Sequence, residues 1–180
     1  MAYVSRGFIP QTSLASNLGF TRPMYIPAGN GTATALYDIV KVSTSGSTVD
    51  TAGVPAGLMG CVRVSDKDDV PCGVIVGFIG DPDYLNQTYR SASTARVALV
   101  NYDPQVVLEA QEDDNGTTLA VARIGTPVDL VPGSIDTVTG TAVCKLALPL
   151  SQAHLVCSVY NNALLQLITQ QSQVLILSGW

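Results

Sequence analysis

Apolar and polar residues alternate, or bunch into short apolar runs, along most of the chain. Gly, Pro, Asn and Asp punctuate the runs at spacings of roughly 8–12 residues, the rhythm of an all-β sandwich or barrel. MYIPAGNGTATALYDIVKVS predicts a turn at Ala28-Gly29-Asn30-Gly31 and a strand through Leu36 to Val42; Gly and Asn supply tight-turn backbone. LMGCVRVS predicts a strand, with Leu58, Gly60, Val62 and Val64 set against Met59, Cys61 and Arg63. CGVIVGFIG is a continuous apolar run, short and rich in Val and Ile, and predicts a buried strand. ARVALVNY and QVVLEAQED predict a central strand pair joined at Asp103-Pro104, closed by a turn at Asp113-Asp114-Asn115-Gly116.

Further short strands are expected in TTLAVARIG, TPVDLVPG and TAVCKLALPL, with a Ser/Thr/Gly turn at SIDTVTG. Near the C-terminus Leu164, Leu165, Leu167 and Ile168 are compatible with a helix start, whereas Val174-Leu175-Ile176-Leu177 reads as a terminal strand. The expected fold is all-β: a compact β-barrel or jelly-roll-like sandwich of about eight to ten strands, with an extended N-terminal arm. No repeat period of 20–50 residues is visible. Residues 1–23 are read as the arm and 24–180 as a single β domain. Gly7, Pro10, Gly19 and Pro23 break any long element in residues 1–23, yet Tyr3, Phe8, Ile9, Leu14, Leu18 and Phe20 need burial. That burial is available on a neighbouring subunit or, alternatively, by folding back on the same domain; a disordered tail is the third alternative.

Composition narrows the function. Of 180 residues 47% are apolar and 13% charged, about half the usual charged share of a soluble domain. Such a surface is either covered by partners or dressed in Ser, Thr, Asn and Gln. The net charge of -5 and the lack of any Lys/Arg run argue against a nucleic-acid partner. No uninterrupted apolar segment is long enough to cross a membrane as a helix. The N-terminus lacks the apolar core of a signal peptide, so synthesis in a reducing cytoplasm with free thiols is expected. Cys61, Cys72, Cys144 and Cys157 have no C-x-x-C spacing, and His154 is the sole histidine, so neither zinc nor another cofactor is expected.

Candidate chemistry is sparse. Asp66, Asp68 and Asp69 cluster in one turn and Glu112, Asp113 and Asp114 in another, but neither matches a calcium loop. Solvated turns account for both. Ser151 and Ser158 flank His154 without a nucleophile motif, and Cys157 lies three residues from it with no oxyanion donors in evidence. Gly29-Asn30-Gly31 matches no complete phosphate-binding loop. No enzyme activity is expected.

The order of short motifs is more telling. Gly31-Thr32 is followed by Asp38, Val40 and Lys41, then by the run from Gly73 to Phe78. Tyr89-Arg90, Ala92-Ser93-Thr94 and Arg96 come next, then the Asp103-Pro104 turn and Glu109 to Asp113. Gly125, Asp129 and the stretch from Gly133 to Gly140 complete the series. In this order the chain resembles the cement, or decoration, proteins on the heads of tailed bacteriophages. The C-terminal region carries less charge than that family's pattern. The resemblance implies a homotrimer on the outer capsid surface of the virion, made in the host cytoplasm and bound to the major capsid protein at threefold or quasi-threefold positions. It also implies interface candidates: Tyr3, Phe8, Ile9 and Phe20 in the arm, and Arg90 and Arg96, whose guanidinium groups suit carboxylates on a partner. Intrachain pairing of these arginines with Asp103 or Glu109 is the alternative. Competing functions are a head-fibre base or tail-associated host-recognition module, and a trimeric β-barrel enzyme of nucleotide metabolism.

Overall fold

The computed structural model describes residues 6–13, 20–47, 54–66, 68–80, 86–112, 129–147, 163–167 and 174–179, and every regular element among them is a strand. Five strands close a barrel: β2 (Thr21–Ile26), β3 (Ile39–Ser43), β4 (Gly60–Arg63), β5 (Gly73–Phe78) and β6 (Arg96–Asn101), in the order β2-β4-β3-β5-β6. β2 and β4 meet in parallel at Tyr25 and Gly60, and the other pairs are antiparallel. Closure leaves the barrel strands without an open edge.

Successive residues of a strand face opposite ways, which explains why β3 and β5 are apolar without alternation. Val40 and Ile75 join Met24, Ile26, Cys61, Ala98 and Val100 in one buried cluster. Their neighbours Ile39 and Val74 join a second cluster with Phe8, Val64, Ala110, Leu130, Ala142, Cys144 and Leu146. Both faces of these strands are therefore buried, and each large side chain withdrawn from water contributes about 1.5–3 kcal/mol. The expected buried strand over CGVIVGFIG is β5.

The second cluster is shared with the layer outside the barrel. β1 (Ile9–Ser13), β7 (Val106–Gln111), β12 (Ala163–Leu167) and β13 (Val174–Gly179) form a sheet in the order β1-β7-β13-β12. Two short pairs accompany it: β8 (Asp129–Val131) with β11 (Lys145–Ala147), and β9 (Ile135–Asp136) with β10 (Thr141–Ala142). The C-terminal leucine run is thus strand β12, where a helix start was one expectation. The expected turn at Asp113–Gly116 and the strand over TTLAVARIG lie outside the described residues.

One expected pairing is corrected. ARVALVNY and QVVLEAQED do form strands, β6 and β7, but the two do not pair with each other. β5 and β2 occupy both edges of β6, and β1 and β13 occupy both edges of β7. Asp103-Pro104 is a crossover from barrel to outer sheet, held by Asp103 Oδ1 accepting from the Gln105 N–H at 2.9 Å.

The N-terminal segment is also placed differently from an extended arm. Over residues 6–13 it docks on its own domain: Phe8 is fully buried in the outer cluster, and Ile9 to Ser13 pair with β7. The Ser13 hydroxyl donates to Asp103, and the Gln11 amide donates to Glu109. Gly7 makes the entry possible. Its φ is +70°, and a Cβ there would lie 2.6 Å from the Tyr37 carbonyl, which the Phe8 N–H needs as its acceptor. Pro10 and a bulge between Pro10 and Thr12 blunt β1 at the sheet edge. β2 begins at Thr21, so the expected boundary at residue 23 falls inside a barrel strand. Tyr3 lies outside the described residues.

Candidate interaction surface

Charged groups inside the fold come first, since buried ionisable clusters are where active sites are usually found. Arg90 is fully buried. Its Nε donates to the Thr94 carbonyl at 2.7 Å, Nη1 to Thr32 at 2.6 Å, and Nη2 to Pro27 and Asn30 at 2.9 and 2.8 Å. Burial pulls its pKa below the usual guanidinium value, opposed by the nearby Cys61 and Tyr25. Arg96 is also buried and donates to the Tyr89 and Gln87 carbonyls, with its guanidinium 4.8 Å above the centre of the Phe78 ring. The acceptors observed for both arginines are main-chain carbonyls, where carboxylates of a partner or of Asp103 and Glu109 were expected. Arg90 ties the turn at Pro27–Asn30 to the Ser91–Thr94 loop, where Ser93 adopts a φ of 59°. The motif Tyr89-Arg90…Arg96 thus organises the scaffold.

A second buried centre joins the barrel to the outer layer. Asp38 Oδ1 accepts from Arg63 Nε at 2.8 Å and from the Cys144 thiol at 3.1 Å, while Oδ2 accepts from the Ala35 N–H at 2.8 Å. Arg63 Nη2 also donates to the Gly133 carbonyl. Burial pushes the Asp38 carboxyl above its ordinary value, against the pull of Arg63, Ala35 and Cys144. Burial pulls Arg63 down, and the Asp38 charge more than offsets it, leaving Arg63 above its usual value. Attraction and desolvation therefore nearly cancel in the intact pair.

The thiols are built for packing. Burial raises Cys61 to about 12 and Cys72 to about 11, and it raises Cys144 as well. Thiolate is the reactive form. In the native chain at pH 8 a disulfide reagent is expected to leave these three cysteines unmodified, with release of their equivalents only on denaturation. Peptide mapping of the modified sites checks this, and Cys157 lies outside the described residues.

The turn at Asp66–Asp69 is a self-capped loop. Asp69 accepts from the Ser65 and Asp66 N–H groups at 2.9 and 3.1 Å and from the Lys41 ammonium. A small desolvation effect raises its pKa, but Lys41 and the two N–H groups outweigh it and hold the carboxyl at about 2. Because the folded value is depressed, its stabilisation is present above pH about 4 and is lost as pH falls toward 2. Lys41→Met is expected to reduce stability at pH 6 and to narrow the acid-induced loss below pH 4, read from urea midpoints at the two pH values. Among the described residues no group of three His, Cys, Asp or Glu side chains is arranged to hold a metal ion. His154, Ser151, Ser158, Asp113 and Asp114 lie outside those residues.

What the fold does gather is apolar surface at one mouth of the barrel. β2 and β4 run in parallel and begin there; β6 and β3, antiparallel to them, end there; β5 begins there. The exposed large apolar side chains among the described residues are Phe20, Val42, Met59, Val70, Ile79, Tyr102 and Val138. Five of the seven sit at these strand ends: Phe20 before β2, Met59 before β4, Val70 before β5, Val42 in the last turn of β3, and Tyr102 after β6. Phe20 and Tyr102 are in ring contact, centroids 6.2 Å apart, and the Tyr102 N–H donates to the Phe20 carbonyl at 2.9 Å. Arg22 lies 5.2 Å from the Tyr102 ring centre. Phe20 was expected at an interface on arm grounds; it is half exposed at the mouth. The other four were missed. Their only signal is that each stands beside a turn, just outside or at the end of a strand, where the alternation calls for a polar residue.

Compared with protein-family models, curated proteins and solved structures, the chain matches none.

Proposed function

We propose that the chain is a virion structural protein without enzymatic activity: a homotrimeric cement that binds the outside of a tailed-phage capsid. It sits at threefold or quasi-threefold positions and stabilises contacts between major capsid proteins. The observation that carries this reading is the order of motifs from Gly31-Thr32 to Gly133–Gly140. The geometry lends it physical support. Thr32, Asp38, Arg90, Thr94, Arg96 and Asp103 are the motif members that hydrogen-bond across the barrel or to the outer layer. Such residues define a rigid body, and a cement works as one. Packaged DNA pushes capsid subunits apart, and a rigid body spanning several of them adds buried area at the junction. A stable interface buries about 1,200–2,000 Å², and linked copies share the work because each second contact is intramolecular.

Co-sedimentation tests it. Purified protein mixed with expanded, undecorated heads is expected to bind saturably, at three copies per local threefold position. Binding confined to a single vertex or to tails would favour a host-recognition module. No binding, together with turnover of a small molecule, would favour an enzyme.

A further inference from the structure

From the apolar barrel mouth we infer that a second copy of this chain docks there, so that Phe20 and Tyr102 of one copy pack on Val42 and Val70 of the next. The argument begins with placement. Around the mouth the strand order is β2-β4-β3-β5-β6, so the aromatic pair on β2 and β6 is followed by Val70 ahead of β5 and Val42 on β3. Two half-exposed aromatic side chains bring roughly 100 Å² each to a contact, judged from the 150–250 Å² that such a group buries in full. With Val70, Val42 and Met59 the patch reaches the size, about 300–600 Å², that on a monomer usually marks a binding site.

Charge selects the occupant. Arg22, on β2, makes the cation–π contact with Tyr102 and no salt bridge among the described residues. On another side of the mouth, Asp66 and Asp68 are exposed in the turn that Asp69 fastens to Lys41 of β3. One copy therefore presents a cation on one side of an apolar patch and carboxylates on another. A second copy offers the complementary arrangement. Packing the two sides against each other pairs Arg22 with the neighbour's acidic turn and covers the apolar centre. A contact between two different sides of the same surface closes into a ring when the rotation permits. A ring of three is the stoichiometry that rests on the cement reading; the contact itself does not rest on it.

The test is the mass of the full chain in solution, measured by sedimentation equilibrium over a wide concentration range, without capsids. The wild type is expected to assemble. Tyr102→Asp and Val70→Asp, each at an exposed site, are expected to weaken assembly by more than about tenfold while leaving the thermal transition of the domain in place. Arg22→Asp is expected to weaken it too, and adding Asp68→Arg to that variant is expected to recover part of the loss. A wild type that stays monomeric overturns the inference. So does a folded Tyr102→Asp that assembles like the wild type. Head binding by a chain that assembles through another surface would leave the cement reading standing while this contact falls.

Discussion

Asp38→Ala is expected to destabilise the domain by about 3–5 kcal/mol, the range for breaking a buried ion pair by removing one partner. The loss has two sources. Arg63 is left as a buried cation facing only neutral groups, and the Ala35 N–H loses its acceptor. Against a total stability of about 5–15 kcal/mol the effect is large. It is also reversible by design. Attraction and desolvation nearly cancel in the intact pair, so Asp38→Ala combined with Arg63→Met is expected to lose much less than the sum of the single changes. Urea midpoints at constant slope give all three values. A double variant as unstable as the sum would show that Arg63 matters chiefly through the Gly133 carbonyl. Loss of the pair should also loosen residues 133–144 from the barrel, since Gly133 and Cys144 are joined to it through the same centre.

The second large effect is expected at Arg90. Arg90→Met removes the donors to four main-chain carbonyls, those of Pro27, Asn30, Thr32 and Thr94. Each buried acceptor left without a donor costs about 1–3 kcal/mol, and loop relaxation returns part of it, so a loss of about 4 kcal/mol or more is expected. Arg90→Lys keeps the charge but replaces a planar fork by a single ammonium, which cannot reach four carbonyls in fixed directions. It is expected to recover less than half of the loss. Hydrogen exchange supplies a local readout. The N–H groups of Thr34 and Ser93, which donate to the Arg90 and Asn30 carbonyls, should lose protection before the barrel strands do.

The sequence was informative where burial is one-dimensional and silent where it depends on folding in space. β5 was legible because a short Val/Ile run needs cover on both faces, and the barrel with its outer layer supplies it. β4 and β6 were legible for the same reason. The partner of β6 was not, because Asp103-Pro104 looks the same whether it turns a hairpin or leads a chain to another sheet. That choice depends on which edges β2 and β5 have already taken. Phe8 was legible as a side chain needing burial, and its destination was not. Gly7 and the Tyr37 carbonyl decide it, and they meet only after β3 has formed. Arg90 and Arg96 misled because a guanidinium in a polar stretch suggests a carboxylate partner, whereas a turn can offer it several carbonyls at once. The apolar mouth was hidden because its five side chains come from five separate places in the chain and share nothing but strand direction.

The central claim is that this rigid β scaffold works by occupying a site on an assembled shell. Cryo-electron microscopy of expanded heads, incubated with the purified protein and then freed of excess, tests it most directly. The account predicts added density on the outside of the shell at the local threefold positions, fitted by three copies of the barrel and bridging neighbouring capsid subunits. Shells with bare threefold positions at saturating protein, from a preparation that is folded and assembled in solution, would contradict it.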